Sequence, residues 1–349
     1  MKAAVFYRPG DLRLEERAVP KAVRGSVVMR VEACAVCGSD LRIYREGNAR
    51  ITKPRIIGHE IAGTVFAVGE GVDGFQVGQR LSVGADVPCG KCAQCLAGRA
   101  NCCEVNLAIG YQLDGGFAEY IRLDPIVVEL GPVQSFDDSV AFDAASLAEP
   151  LACCINGYER ALYVPGGNVA IFGAGPIGVM LGLLGQQLGA QRVLLFEPNP
   201  DRRARARELG FADVYDPHSH DPVATVMEQT GGDGADAVFT ANPVVETHEQ
   251  AIAMVARRGV VNLFGGLPAA APPISLLSNH LHYREAYVTG SHGSTPAQHA
   301  EALRMIVTGE LDIERLVTHR FPLEAVHDGI AAAMSGRAVK VLIKPGGAA

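Results

Sequence analysis

Four cysteines fall within fifteen residues, as Cys89-x2-Cys92-x2-Cys95-x7-Cys103. Thiolates are soft donors, and four of them in a tetrahedron at about 2.3 Å close a zinc site with no open position, which makes it structural. Gly90 and Gly98 let the loop fold back on itself. Cys102 offers a rival fourth ligand, and a metal-free reduced loop or a nucleic-acid-binding zinc ribbon shares the spacing. A second constellation is dispersed: Cys37-Gly-Ser39-Asp40, Gly58-His59-Glu60 and Glu149-Pro-Leu151. A thiolate, an imidazole and a carboxylate would leave one zinc position for water or substrate, and that opening separates a catalytic zinc from a structural one. An alcohol there would ionise near neutral pH. Ser39 lies two residues beyond Cys37, where its hydroxyl can carry the proton away. Asp40 would stand behind His59 and orient it. Taken singly, Cys-Gly-Ser-Asp also reads as a turn and His59-Glu60 as a surface pair.

A third feature is Gly173-Ala-Gly175-Pro176-Ile177-Gly178, which follows an apolar run and opens a helix-length segment. In that context the glycines allow a tight turn, approach of a pyrophosphate to backbone N–H groups, and close helix–strand packing. Glu197 follows 19 residues after Gly178. A carboxylate there accepts hydrogen bonds from both ribose hydroxyls and repels a 2′-phosphate, which favours NAD over NADP. Arg202 and Arg203 pull the other way, since an arginine suits that phosphate.

The elements that must position these groups change character along the chain. Through residue 150 there are short strands broken by Gly and Pro, at 3–7, 26–35, 61–68, 80–83 and 118–122. That texture suggests a mostly-β domain, such as a small barrel. Residues 151–285 alternate buried-strand candidates (168–172, 191–197, 235–240, 259–264) with helical segments (to Leu188, 201–209, 246–256). Such alternation argues for an α/β fold with a doubly wound parallel sheet. Residues 286–349 are less regular, with a helix at 296–308 and a last strand at 340–344. That tail is too short for a domain and is expected to pack back onto another one.

Composition narrows the function classes. The chain has 349 residues, 48% hydrophobic and 20% charged, with a formal charge of −7. It carries no basic footprint for nucleic acid or an anionic membrane. Its longest apolar run, in 178–184, is too short to span a bilayer. The first residues read as a strand rather than a secretory leader. Nine clustered cysteines suit metal ligation in a reducing cytoplasm. Cys34, Cys153 and Cys154 read as packing residues.

Taken together, these motifs resemble the zinc-containing medium-chain dehydrogenases, in particular the sorbitol, polyol and threonine dehydrogenase branch. The resemblance spans essentially the whole length and includes Gly115-Gly-Phe-Ala-Glu-Tyr120. It implies a GroES-like catalytic domain, a Rossmann domain and a return of the chain to the first. It implies two zinc ions per chain. One is catalytic, on Cys37 and His59 with Glu60 or Glu149; the other is structural, with Cys103 rather than Cys102 as fourth ligand. By position it also places Asn242, Phe264, Gly265 and Ser291 beside the cofactor. The expected activity is NAD-dependent oxidation of a secondary hydroxyl of a polyol, cyclitol or sugar by a homodimer or homotetramer. Threonine-type or simple alcohol oxidation, or a non-catalytic zinc-binding relative, are the alternatives. Two departures stand out. Arg42 occupies a position where relatives often carry a proton-relaying histidine, and arginine cannot act as a base. Ile43 stands where a tyrosine is common, which suggests a reshaped substrate pocket.

Overall fold

A computed structural model describes residues 1–346, in two compact units: Met1–Ala152 with the segment from Gly293 onward, and Cys153–His292. The first unit is mostly β. Its largest sheet runs Val133–Phe136, Arg80–Val83, Glu60–Val68, Val27–Ala35, Lys340–Lys344, Val317–Pro322, and Tyr120–Leu123 also pairs with Val27–Ala35. The chain's last strand therefore lies beside one of its first, with Leu342 opposite Ala35 and Ile343 opposite Cys34. A three-stranded sheet of Lys2–Arg8, Asp11–Glu16 and Arg55–Ile56 completes the framework. Apolar residues at alternate positions fill a shared core that includes Val5, Met29, Ile61, Leu81, Phe117 and Ile343.

The second unit holds a six-stranded parallel sheet in the order Asp213–Tyr215, Arg192–Phe196, Asn168–Phe172, Ala235–Thr240, Val255–Leu263, Tyr287–Gly290. In chain order this is 3-2-1-4-5-6, the doubly wound arrangement that leaves a crevice where the order reverses. The strands Asn168–Phe172 and Arg192–Phe196 are buried apolar runs after their first residue, as expected where helices cover both faces of such a sheet. Phe172, Phe196, Val238 and Val261 form its core.

Two boundaries differ from those read in the sequence. The helix expected at 246–256 is Val245–Ala253, and Val255 already pairs with Ala235 in the sheet. The β-branched valine takes the strand, and the register shifts before Val260 because Arg258 sits in a left-handed conformation. The strand Tyr287–Gly290 belongs to the parallel sheet although it lies past residue 285, since it pairs in register with Val260–Leu263.

Candidate active site

Cys37 caps the helix Gly38–Glu46, and His59 precedes the strand Glu60–Val68. One side chain joins them. Asp40, fully buried, accepts the Cys37 N–H at 2.9 Å through Oδ2 and the Gly58 N–H at 3.3 Å through Oδ1. The same Oδ1 lies 3.4 Å from His59 Nδ1. Asp40 thus fixes the backbone of one donor, the approach to the other and the face of the imidazole. Gly58 has φ +90, and a side chain there would strike Cys34 Sγ and the Phe117 ring at 2.8 Å, so only glycine brings the loop this close.

With Nδ1 turned to Asp40, His59 presents Nε2 to Ser39, whose Oγ is 3.3 Å away. The ligand atoms of Cys37, His59 and Glu60 lie within 4.8 Å of one another. A thiolate, an imidazole and a carboxylate together make a donor set that fits zinc. Burial works to lower the His59 pKa, but the Asp40 carboxylate and the Cys37 sulfur override it and raise it. Glu60 is also fully buried; Lys340 Nζ donates to its Oε1 at 2.7 Å and lies 2.5 Å from Oε2. Glu149, in the first turn of Ala148–Arg160, stands outside the compact donor set. Burial, together with Glu60 and Asp86, pushes its pKa up to about 8 against the pull of His59 and Lys340.

Of the two residues that depart from the family pattern, Arg42 is exposed and Ile43 is buried in the core of the unit. Sequence reasoning missed Lys340 and Tyr111. The Tyr111 ring packs 5.8 Å from that of His59, and burial raises its phenol pKa. Neither residue sits in a motif: Lys340 arrives by strand pairing across 280 residues, and Tyr111 by a turn ahead of Gly115.

The four-cysteine loop can be tested by distance. A zinc tetrahedron with 2.3 Å bonds sets its sulfurs about 3.8 Å apart. Here Cys92–Cys95, Cys92–Cys103 and Cys89–Cys95 are 3.5, 3.9 and 4.0 Å, too long for disulfides. The compact set is Cys89, Cys92, Cys95 and Cys103; Cys102 is exposed and outside it. Backbone N–H groups of Cys95 and Glu104 draw the Cys92 thiol down to about 6, while burial and the hydrogen bond with Cys92 push the Cys95 thiol up.

In the second unit the glycine loop joins Asn168–Phe172 to the helix Pro176–Gln187, with Gly173 at φ +102 and Gly175 as the cap. Ile177 continues the first turn, and a Cβ on Gly178 would lie 1.8 Å from the Gly173 carbonyl oxygen. Glu197, buried, accepts from Ala174 N–H at 2.8 Å and Asn199 N–H at 2.9 Å, which ties the acidic residue to the loop. Arg202 lies 3.9 Å from that carboxylate, whereas Arg203 is committed to Asp216 and to the Glu197 and Pro198 carbonyls. Asn242, Phe264, Gly265 and Ser291 all follow C-terminal strand ends. Asn242 Oδ1 accepts from Val244 N–H and the Thr247 hydroxyl, and Ser291 donates to Asn262 at 2.9 Å. Phe264 packs its ring against Gly157, and Gly265 allows close approach to the Asn242 backbone.

Comparison with known proteins bears directly on this arrangement. Residues 23–132 match the alcohol dehydrogenase GroES-like domain, and residues 176–308 match the zinc-binding dehydrogenase domain. Sorbitol dehydrogenase of Bacillus subtilis (strain 168) is 30% identical over 99% of this chain and 97% of that protein. The chain belongs to the zinc-containing medium-chain dehydrogenases. L-threonine 3-dehydrogenase of Caldanaerobacter subterraneus subsp. tengcongensis is 31% identical over 97% of each chain. A solved structure from Sinorhizobium meliloti 1021, assigned to the zinc-binding dehydrogenases and bound to NADP, is 30% identical with a TM-score of 0.92 over 99% of both chains. The chain is thus an enzyme of the alcohol and polyol dehydrogenase type, and its relatives act on different substrates. Among the described residues, no helix is long and apolar enough to cross a membrane.

Proposed function

We propose that the protein oxidises a secondary hydroxyl of a polyol, cyclitol or sugar to the ketone, reversibly, with NAD as acceptor and two zinc ions per chain. The observation that carries this reading is the Asp40 bridge, which joins Cys37 to His59 and leaves Ser39 Oγ 3.3 Å from His59 Nε2. A donor set with a proton-carrying hydroxyl beside it suits alcohol oxidation. A structural zinc has no use for that hydroxyl.

In this reading Cys37, His59 and a carboxylate hold the catalytic zinc, with Glu60 the nearer carboxylate and Glu149 the second. Cys89, Cys92, Cys95 and Cys103 hold the structural zinc. When bound, zinc supplies Lewis acidity at the substrate oxygen and the nicotinamide supplies the hydride acceptor. Ser39 takes the substrate's proton, and Asp40 keeps His59 in one orientation. Gly173, Gly175, Pro176, Ile177 and Gly178 present the helix start to the pyrophosphate. Glu197 accepts from the ribose hydroxyls and disfavours a 2′-phosphate, while Arg202 lies beside the same loop. The strand Tyr287–Gly290 has one neighbour in its sheet and exposes Tyr287 and Val288, an edge suited to a second copy of the chain. No disulfide joins the cysteines among the described residues, in keeping with a cytoplasmic enzyme.

The test combines metal analysis with a screen of polyols, cyclitols, sugars and threonine against NAD and NADP. We expect about two zincs per chain and NAD reduction with a polyhydroxylated substrate. One zinc or none removes the catalytic site from the proposal; a preference for threonine moves the substrate class to amino-alcohols. Preference for NADP would overturn the role given to Glu197.

A further inference from the structure

The parallel sheet has a cleft at the end opposite the glycine loop. Leu162, Val164, Pro165, Asn168, Asp236 and Arg258 line it around a volume of about 320 Å³, within the usual range for small-ligand sites. Asn168 opens the strand Asn168–Phe172 and the glycine loop follows its last residue, so a whole strand separates the two places.

The backbone at this cleft is strained in a way that local structure does not require. Among the described residues, four that are not glycine have positive φ, and two of the four line the cleft: Leu162 at +50° and Arg258 at +59°. Leu162 lies just past the helix Ala148–Arg160, at a turn where glycine is the usual residue. Arg258 makes the irregular step in Val255–Leu263. Glycine would adopt either conformation without strain, so the backbone alone does not account for the leucine or the arginine. Leu162 is also 67% exposed and Val164 71%, which leaves an apolar wall open to solvent.

The polar groups of the cleft are incompletely matched. Arg258 is exposed and has no hydrogen bond or ion pair among the described residues, although Asp236, of opposite charge, lines the same cavity. Asp236 Oδ2 accepts the Asn168 N–H at 2.7 Å, and Oδ1 has no recorded partner. Asn168 Oδ1 is buried and also has none, a state that costs free energy until a donor reaches it.

We infer that this cleft binds an α-amino acid with an apolar side chain. The Arg258 guanidinium donates to the ligand's carboxylate, and Asp236 Oδ1 accepts from its ammonium group. Leu162, Val164 and Pro165 cover the ligand's side chain. Asn168 Oδ1, next to the carboxylate that its own N–H holds, is the second acceptor for the ammonium hydrogens. A ligand with a single charge would leave either Arg258 or Asp236 unmatched. The site is separate from the two donor sets, so it does not depend on which alcohol the enzyme oxidises.

The test is calorimetry and thermal unfolding of the full chain with L-phenylalanine, 3-phenylpropionate and phenethylamine, which share a ring but differ in charge. Phenylalanine should bind and raise Tm, and each singly charged analogue should bind at least about tenfold more weakly, the effect of one lost charge-assisted hydrogen bond. Arg258→Gly should weaken phenylalanine binding by a similar factor without lowering the ligand-free Tm, because glycine accepts the left-handed backbone. Arg258→Asn, which also tolerates that conformation, should give the same loss of affinity. Leu162→Gly should weaken all three probes while the fold is kept. Absence of heat and of a Tm rise with phenylalanine would overturn the inference. So would equal binding of 3-phenylpropionate and phenylalanine, or parental affinity in both Arg258 variants.

Discussion

The molecule carries two candidate metal-donor sets of opposite design. Cys89, Cys92, Cys95 and Cys103 come from one loop of fifteen residues, and their geometry is nearly complete from local chain alone. Cys37, His59 and Glu60, with Glu149 nearby, come from a helix cap, a strand entrance and a distant helix, held by Asp40 and Lys340. In the proposed reading four thiolates close the local set, whereas the dispersed set keeps an open position and is surrounded by charges that tune one another. The difference suggests that the loop answers for local order and the dispersed set for chemistry, so substitutions in each should move different observables.

The largest effect is expected in the dispersed set. Cys37→Ser should cost at least about 10³-fold in kcat/KM, on the order of 4 kcal/mol of transition-state stabilisation. The Tm should change little, because Asp40 still accepts the backbone N–H of residue 37. Steady-state kinetics beside a thermal melt will check this, and full activity would break the comparison at its centre.

Cys95→Ser should behave in the opposite way. Losing one of four thiolates weakens the loop's metal and removes local order, with an expected stability loss of about 2–4 kcal/mol in urea unfolding. The kcat/KM of the protein that remains folded should fall less than tenfold. A larger loss of kcat/KM with unchanged stability would show that the loop takes part in the reaction.

How much of this was legible in the sequence follows the same division. The loop could be read from spacing because its donors are sequence neighbours, although choosing Cys103 over Cys102 needs the direction of each Cβ. Strands 168–172, 235–240 and 340–344 were legible as apolar runs bounded by turn residues, and the structure gives them those bounds. The helix at 246–256 ran too long because Met254-Val255-Ala256 is apolar in either conformation, and only pairing with Ala235 makes it a strand. For the dispersed set, the motifs supplied the residue types but not their partners. The contact of Lys340 with Glu60 depends on the last strand lying beside Val27–Ala35, a long-range pairing that no local pattern encodes. A position on a short helix likewise does not say which face is turned inward, and Ile43, on Gly38–Glu46, faces the core.

The smallest expected effect is the one that sharpens the comparison most. Asp40→Asn retains the shape and an oxygen that can accept one backbone N–H, but it removes the charge facing His59 Nδ1. A carboxylate that faces the far nitrogen of a metal-binding imidazole typically contributes about 10–100-fold in metal affinity or activity. We expect zinc to leave the dispersed site at lower chelator concentration, while the four-cysteine loop keeps its metal. Two-step zinc release, followed with a chromophoric chelator, should then separate further in the variant than in the parent. If both zincs shift together, Asp40 supports the fold of the whole unit rather than one site. If neither shifts, the imidazole is oriented by its packing against Tyr111 and the Gly58 turn, and the carboxylate is dispensable for holding the metal.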